Sequence, residues 1–116
     1  MRAALRPGPT ILAVIATAVV VAMLLTPATY VPQPHFPHED KLEHAGVFCV
    51  LALLWRWARL GPLPMLIGAC VLASTTEILQ AVLPIGRDGE VLDAVADLAG
   101  ACIGALIARL VSRPSA

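Results

Sequence analysis

The chain has 116 residues, of which 59% are hydrophobic and 14% charged, and eight basic residues balance eight acidic ones to a formal net charge of +0. Soluble domains average about 45–50% apolar and about 25% charged residues, and a domain this small could not hide such an aliphatic excess from water, so lipid is the expected solvent. The charge balance, with no basic run, excludes a nucleic-acid binder; the mean hydropathy of +0.83 excludes disorder; and Cys49, Cys70 and Cys102, an odd set inside apolar stretches, exclude a disulfide-stapled secreted module.

A helix needs roughly 20 mostly apolar residues to cross a bilayer core. Four stretches are predicted as such helices, at about 10–27, 40–58, 62–84 and 91–111. The first, Thr10 to Thr26, is uncharged and lies between Pro9 and Pro27. Arg2 and Arg6 ahead of it also fit the basic region of a signal peptide. Pro27 is a poor neighbour for cleavage, which favours a retained anchor. Prolines 27, 32, 34 and 37 predict an extended, non-helical loop up to the second helix.

The uncharged part of the second helix, Ala45 to Trp55, is too short to span alone. It reaches length if Asp40 to His44 form its first turn, with Asp40 as N-cap and Glu43 three residues on, a capping-box pattern. The alternative is a shorter, re-entrant or interfacial helix. The third helix is interrupted only by Glu77 and Gln80 near its far end, and the fourth carries Asp93, Asp97 and Arg109. The fold class is therefore all-α: one domain over 1–116, a four-helix transmembrane bundle.

Arg2, Arg6, Arg56, Arg59, Arg109 and Arg113 fall on one side of such a bundle, while Lys41 and Arg87 share the other with five acids. The positive-inside rule then gives N-in, C-in, with Trp55 and Trp57 in the inner aromatic belt and Tyr30 near the outer one.

Intramembrane charges are costly and mark function or a specific partner. At 1.5 Å per residue Glu77 lies roughly 22 Å along the third helix, in the outer third, with Gln80 one turn further on the same face. Asp93 and Asp97 occupy the outer turns of the fourth helix, and Asp40, Lys41 and His44 the outer mouth of the second. Arg87 sits in the outer loop. All eight residues are expected at one level. Four acids against two bases leave an excess of negative charge, which a proton, a charged His44, a cation or a partner must answer. Asp93, Asp97, Gly100 and Gly104 share one helical stripe. Its inner part, Gly100 and Gly104, is a small-residue contact surface for close helix packing.

Taken in order, Asp40-Lys41-x-x-His44, Glu77-x-x-Gln80, Gly86-Arg87 and Asp93-x-x-x-Asp97-x-x-Gly100-x-x-x-Gly104 resemble the VanZ-like family of small bacterial membrane proteins, over about residues 40–106. Position 97 departs from the family pattern, which usually has Asn there. The resemblance implies a multi-pass protein of the bacterial cytoplasmic membrane and a cell-envelope connection; the namesake is associated with resistance to the glycopeptide teicoplanin.

Each group also has an ordinary structural reading. Asp40, Lys41 and His44 suit helix capping and an interfacial ion pair. Glu77 and Gln80 suit interhelical hydrogen bonding. Asp93 and Asp97 suit pairing with Arg87 and Lys41. His35 and His38, with His44, are the histidine grouping that would point to a metal, but histidines in a proline-rich loop are ordinarily solvated. No metal or other cofactor is expected.

Three functional classes remain open. The first is a non-enzymatic protein that engages a lipid head group or peptidoglycan precursor from outside, with Arg87 and Lys41 holding an anionic group. The second is a proton-coupled transporter or channel-like unit using Glu77 and Asp97, which would need a homo-oligomer. The third is an intramembrane enzyme with His44 as base and Glu77 or Asp93 as partner. It ranks last because Ser74, Thr75 and Thr76 carry no nucleophile signature.

Overall fold

The computed structural model describes residues 4–112. Four helices account for most of them: α1 (Pro7–Leu24), α2 (Glu39–Trp57), α3 (Pro62–Val82) and α4 (Val91–Val111). At 18 to 21 residues each is about 27–32 Å long, the thickness of a hydrocarbon core. Among the described residues α1, α3 and α4 are long and apolar enough to cross a membrane. Helix α2 has the length, but its first two turns carry Glu39, Asp40, Lys41, Glu43 and His44.

The helices run alternately up and down. At one end the Arg6 N–H donates to the Ala58 carbonyl (3.0 Å), joining the start of α1 to the end of α2. At the other end the Gln80 amide donates to the Leu24 carbonyl (2.7 Å), joining late α3 to the end of α1. Helix α2 packs most extensively against α4, and α1 is the least embedded. A small core of Val20, Leu24, Phe48, Leu51, Ala52, Met65, Ala73 and Ala101 fills the interior.

The outer surface is apolar. Ile11, Ile15, Val19 and Met23 run along the exposed face of α1, and Leu63, Ile67, Val71, Ile78 and Val82 along that of α3. A soluble monomer rarely exposes apolar patches this continuous; hydrocarbon is the medium in which they are at rest. This is a membrane protein with an all-helical fold. Its two ends differ in charge. Arg6, Arg56, Arg59 and Arg109 gather at one end and the acids at the other. Arg2 and Arg113 lie outside the described residues.

Three local expectations are corrected. Helix α1 begins at Pro7 and ends at Leu24, rather than covering 10–27. Proline is well placed in the first turn, where its missing N–H would have no helical partner. The capping box at Asp40 is not formed. The helix starts one residue earlier, behind His38 in the left-handed region (φ 63°), with no side-chain cap, and the Asp40 carboxylate bonds Lys41 instead. The proline-rich loop is not wholly extended. Ala28–Tyr30 form a 3-10 turn, closed by Tyr30 N–H to Pro27 O and Val31 N–H to Ala28 O (both 3.0 Å), because no proline falls within those three residues. The Ala28 N–H donates to Ile85 O (2.8 Å), fastening this loop to the one between α3 and α4.

Candidate functional site

The ends of α2, α3 and α4 meet at the acidic end of the bundle, and the close approach of α2 to α4 begins with glycine. A Cβ on Gly100 would lie 2.0 Å from the Ala45 carbonyl oxygen, and one on Gly104 would lie 2.6 Å from that of Cys49. Only a hydrogen fits at either position, so the two backbones touch. One turn toward the acidic end this contact brings His44 of α2 against Asp97 of α4, with Nδ1 2.7 Å from Oδ1.

Two tiers result. The inner tier is His44, Glu77 and Asp97. All three are buried, Asp97 at 0% exposure, and each offers a donor atom within 4.8 Å of the others. Glu77 is anchored on one side only: its Oε2 accepts the Glu90 backbone N–H (2.9 Å) at the start of α4. Among the described residues Glu77 Oε1 and Asp97 Oδ2 have no hydrogen-bond partner. Buried polar atoms are seldom left so, because each costs about 1–3 kcal/mol.

The outer tier is built on Lys41. Its ammonium lies 2.9 Å from Asp40 Oδ2 and 2.8 Å from Asp93 Oδ1, and it also bonds the Glu90 carboxylate. Asp93 is buried, whereas Asp40 and Glu90 are about half exposed. The tiers touch where His44 Nε2 comes within 3.8 Å of Asp93 Oδ2.

Asp40, Lys41, His44, Glu77, Asp93 and Asp97 thus come together as the sequence predicts. Gln80 and Arg87 stand to one side of them. Gln80 is buried but spends its amide on Leu24 O. Arg87 follows Gly86, whose φ of +71° makes the turn, and donates to Thr26 O (3.1 Å) past the end of α1. Both side chains tie down α1. Glu90 is the cluster member that sequence reasoning missed. It sits in a loop with Asp88 and nothing in its spacing singles it out; the signal was its position immediately before α4, as the N-cap.

Several other candidates are occupied elsewhere. The Thr76 hydroxyl bonds back to Leu72 O (2.9 Å), so it offers no nucleophile to Glu77. His35 pairs with Glu39 (3.1 Å) in the exposed loop, away from His44. Cys70 and Cys102 are exposed on the apolar surface. An apolar cavity of about 230 Å³ lies at the other end, between Thr17, Phe48, Trp55, Met65 and Leu72. Its polar groups are already paired, Trp55 Nε1 donating to Thr17 Oγ1 at 3.0 Å, so it holds no chemistry.

The family model described as VanZ/LLP1 matches residues 31–112, which takes in α2, α3, α4 and the whole polar cluster. The chain belongs to this family. The match reaches further at both ends than the motif residues 40–106. No curated protein and no solved structure matches the chain.

Proposed function

We propose that the protein is an envelope-binding unit of the bacterial cytoplasmic membrane, N-in and C-in, with the acidic end of the bundle facing outward. The basic end supports this orientation, because Lys and Arg concentrate in short cytoplasmic loops. The ligand is an amine-bearing envelope component, a lipid head group or the peptide portion of a peptidoglycan precursor, held at the mouth formed by Asp40, Glu90 and Asp93. A role in glycopeptide resistance would follow from the same contact, since it sets the protein beside the precursor.

The observation that carries this reading is the environment of Lys41. Three carboxylates surround one ammonium, two of them half exposed, while Arg87 is committed to Thr26 O. Lys41 is enclosed by acids, and the mouth formed by Asp40, Glu90 and Asp93 keeps an excess of negative charge that attracts a cationic group. The test is reconstitution in vesicles of phosphatidylglycerol doped with an amine-bearing lipid or with its N-acetylated form, with bound lipid read by native mass spectrometry. Selective retention of the amine form, lost in Glu90→Gln, is expected. Equal retention of both forms refutes the reading.

A second reading, proton movement through Glu77 and Asp97, is favoured by one observation: both carboxylates are buried beside His44, with one ligating atom of each of the three residues within 4.8 Å of the others, and each keeps one oxygen unpartnered among the described residues. Proton flux into liposomes that is abolished by Glu77→Gln supports it, and unchanged flux excludes it.

A further inference from the structure

We propose that His44, Glu77 and Asp97 form a binding site for one divalent first-row transition-metal ion, set in the inner tier beneath the mouth. This goes beyond the envelope-binding reading, which concerns the outer tier alone.

The donor set is one imidazole and two carboxylates contributed by three different helices, and their ligating atoms already lie within 4.8 Å of one another. Zinc–nitrogen and zinc–oxygen bonds are roughly 2.0–2.2 Å long, so drawing the three donors onto one ion takes side-chain shifts of about 1 Å or less. Two donor oxygens, Asp97 Oδ2 and Glu77 Oε1, are buried and unpartnered among the described residues. Asp93 Oδ1 at least has the Lys41 ammonium at 2.8 Å; these two carboxylate oxygens have no such neighbour among the described residues, and a metal ion would satisfy both.

The surroundings match what metal ligands require. Ligating carboxylates and imidazoles are held by a further ring of hydrogen bonds and charges. Here the Glu90 N–H fixes Glu77 Oε2 (2.9 Å), and the Asp93 carboxylate stands 3.8 Å from His44 Nε2, a nearby charge rather than a hydrogen bond. Ligation through Nδ1 would release its proton and replace its 2.7 Å contact with Asp97 Oδ1. Electrostatics point the same way. In the metal-ligating forms, with the imidazole neutral and both carboxylates ionised, the inner tier carries two negative charges, and Lys41 is spread over Asp40, Glu90 and Asp93. A divalent ion neutralises the inner tier in full. Mixed imidazole and carboxylate ligands suit zinc, manganese or iron better than magnesium or calcium, which prefer all-oxygen sites. Three protein ligands also leave a fourth position open, the arrangement of sites at which a metal binds a further oxygen ligand. The other acidic grouping, Asp40, Glu90 and Asp93, is not a comparable site, because the Lys41 ammonium already occupies its centre.

The experiment uses the full chain in detergent micelles, stripped with chelator, with Zn²⁺ titrated calorimetrically and Co²⁺ read by visible absorption. One Zn²⁺ per chain is expected, with a Co²⁺ spectrum showing nitrogen and oxygen ligation. Glu77→Gln and Asp97→Asn should each weaken Zn²⁺ binding by more than about tenfold, and Zn²⁺ should raise the unfolding temperature of the parent chain but not of either variant. Glu77→Gln keeps the size of the side chain and decides the matter if Asp97→Asn does not fold. Glu90→Gln should leave Zn²⁺ binding within about threefold while losing the amine-lipid preference, since only its backbone N–H serves the inner tier. Absence of Zn²⁺ binding, or binding that survives Glu77→Gln but is lost when His35 and His38 are both replaced by Ala, overturns the proposal. Neither result bears on amine-lipid retention.

Discussion

Gly100→Ala is the substitution with the clearest structural consequence. The added methyl would lie 2.0 Å from the Ala45 carbonyl oxygen, 2.7 Å from its carbon and 2.8 Å from Cα. Ordinary contact begins near 3.4 Å, so α2 and α4 must part by more than an ångström. The obstacle is backbone, so no rotamer change relieves it. Overpacking costs about 1–3 kcal/mol, and a rigid neighbour puts this case at the upper end. Alanine's better helix propensity returns up to about 1 kcal/mol, leaving a net loss of about 2 kcal/mol. Because Ala45 follows His44 and Gly100 lies one turn beyond Asp97, the same displacement breaks the 2.7 Å His44–Asp97 contact. The assay is reversible unfolding in detergent, followed by the fluorescence of Trp55 and Trp57. Gly68→Ala is the control: a Cβ there meets nothing within 4 Å, so it should be neutral or stabilising by up to about 1 kcal/mol. If Gly100→Ala is as stable as Gly68→Ala, the close α2–α4 contact is wrong, and the placement of the inner tier with it.

Gln80→Leu removes the bond to Leu24 O (2.7 Å); interhelical bonds in lipid are worth about 0.6 kcal/mol and at most about 1.7, so stability should fall by about 1 kcal/mol, with faster hydrogen exchange over residues 20–26 and little change in α2 or α4. In a background without the three native cysteines, Asp88→Cys should react with a membrane-impermeant maleimide on intact cells and Arg59→Cys only after permeabilisation; the reverse pattern would refute N-in, C-in.

How much was legible in the sequence depended on whether a signal was periodic or tertiary. The four helices were readable because apolar runs bounded by proline and charge have few other interpretations, and α2 was readable despite its polar start because Asp40 to His44 are helix-compatible. The convergence of Asp93 and Asp97 with His44 followed from depth and face alone. The hydrogen-bond choices were not legible. Arg87 has the charge to join the acids, but the positive φ of Gly86 and the fastening of Ala28 to Ile85 turn it toward Thr26 instead. Glu90 enters the cluster through the end of a loop, where no periodicity applies. Asp40 lost its capping role because an adjacent ammonium is a stronger partner for a carboxylate than a backbone N–H.

The precision of the inner tier comes from glycines more than from its own residues. Gly100 and Gly104 let α4 lie on α2 closely enough to hold His44 against Asp97. Gly89 does the same for the third member: a Cβ there would lie 2.6 Å from the Glu77 carbonyl oxygen and 2.7 Å from Ala81 Cβ. The loop into α4 therefore presses on late α3, which brings the Glu90 N–H onto one oxygen of Glu77 and leaves the other buried and unpartnered among the described residues. One helix–helix contact and one loop–helix contact, neither with room for a methyl group, thus fix three polar side chains from three helices. An arrangement assembled only to bury charge would not need that exactness, since one proton could neutralise a carboxylate in many geometries. The convergence of an imidazole and two carboxylates is the geometry on which the proposed metal site rests, and the glycines are the part of the sequence that fixes it.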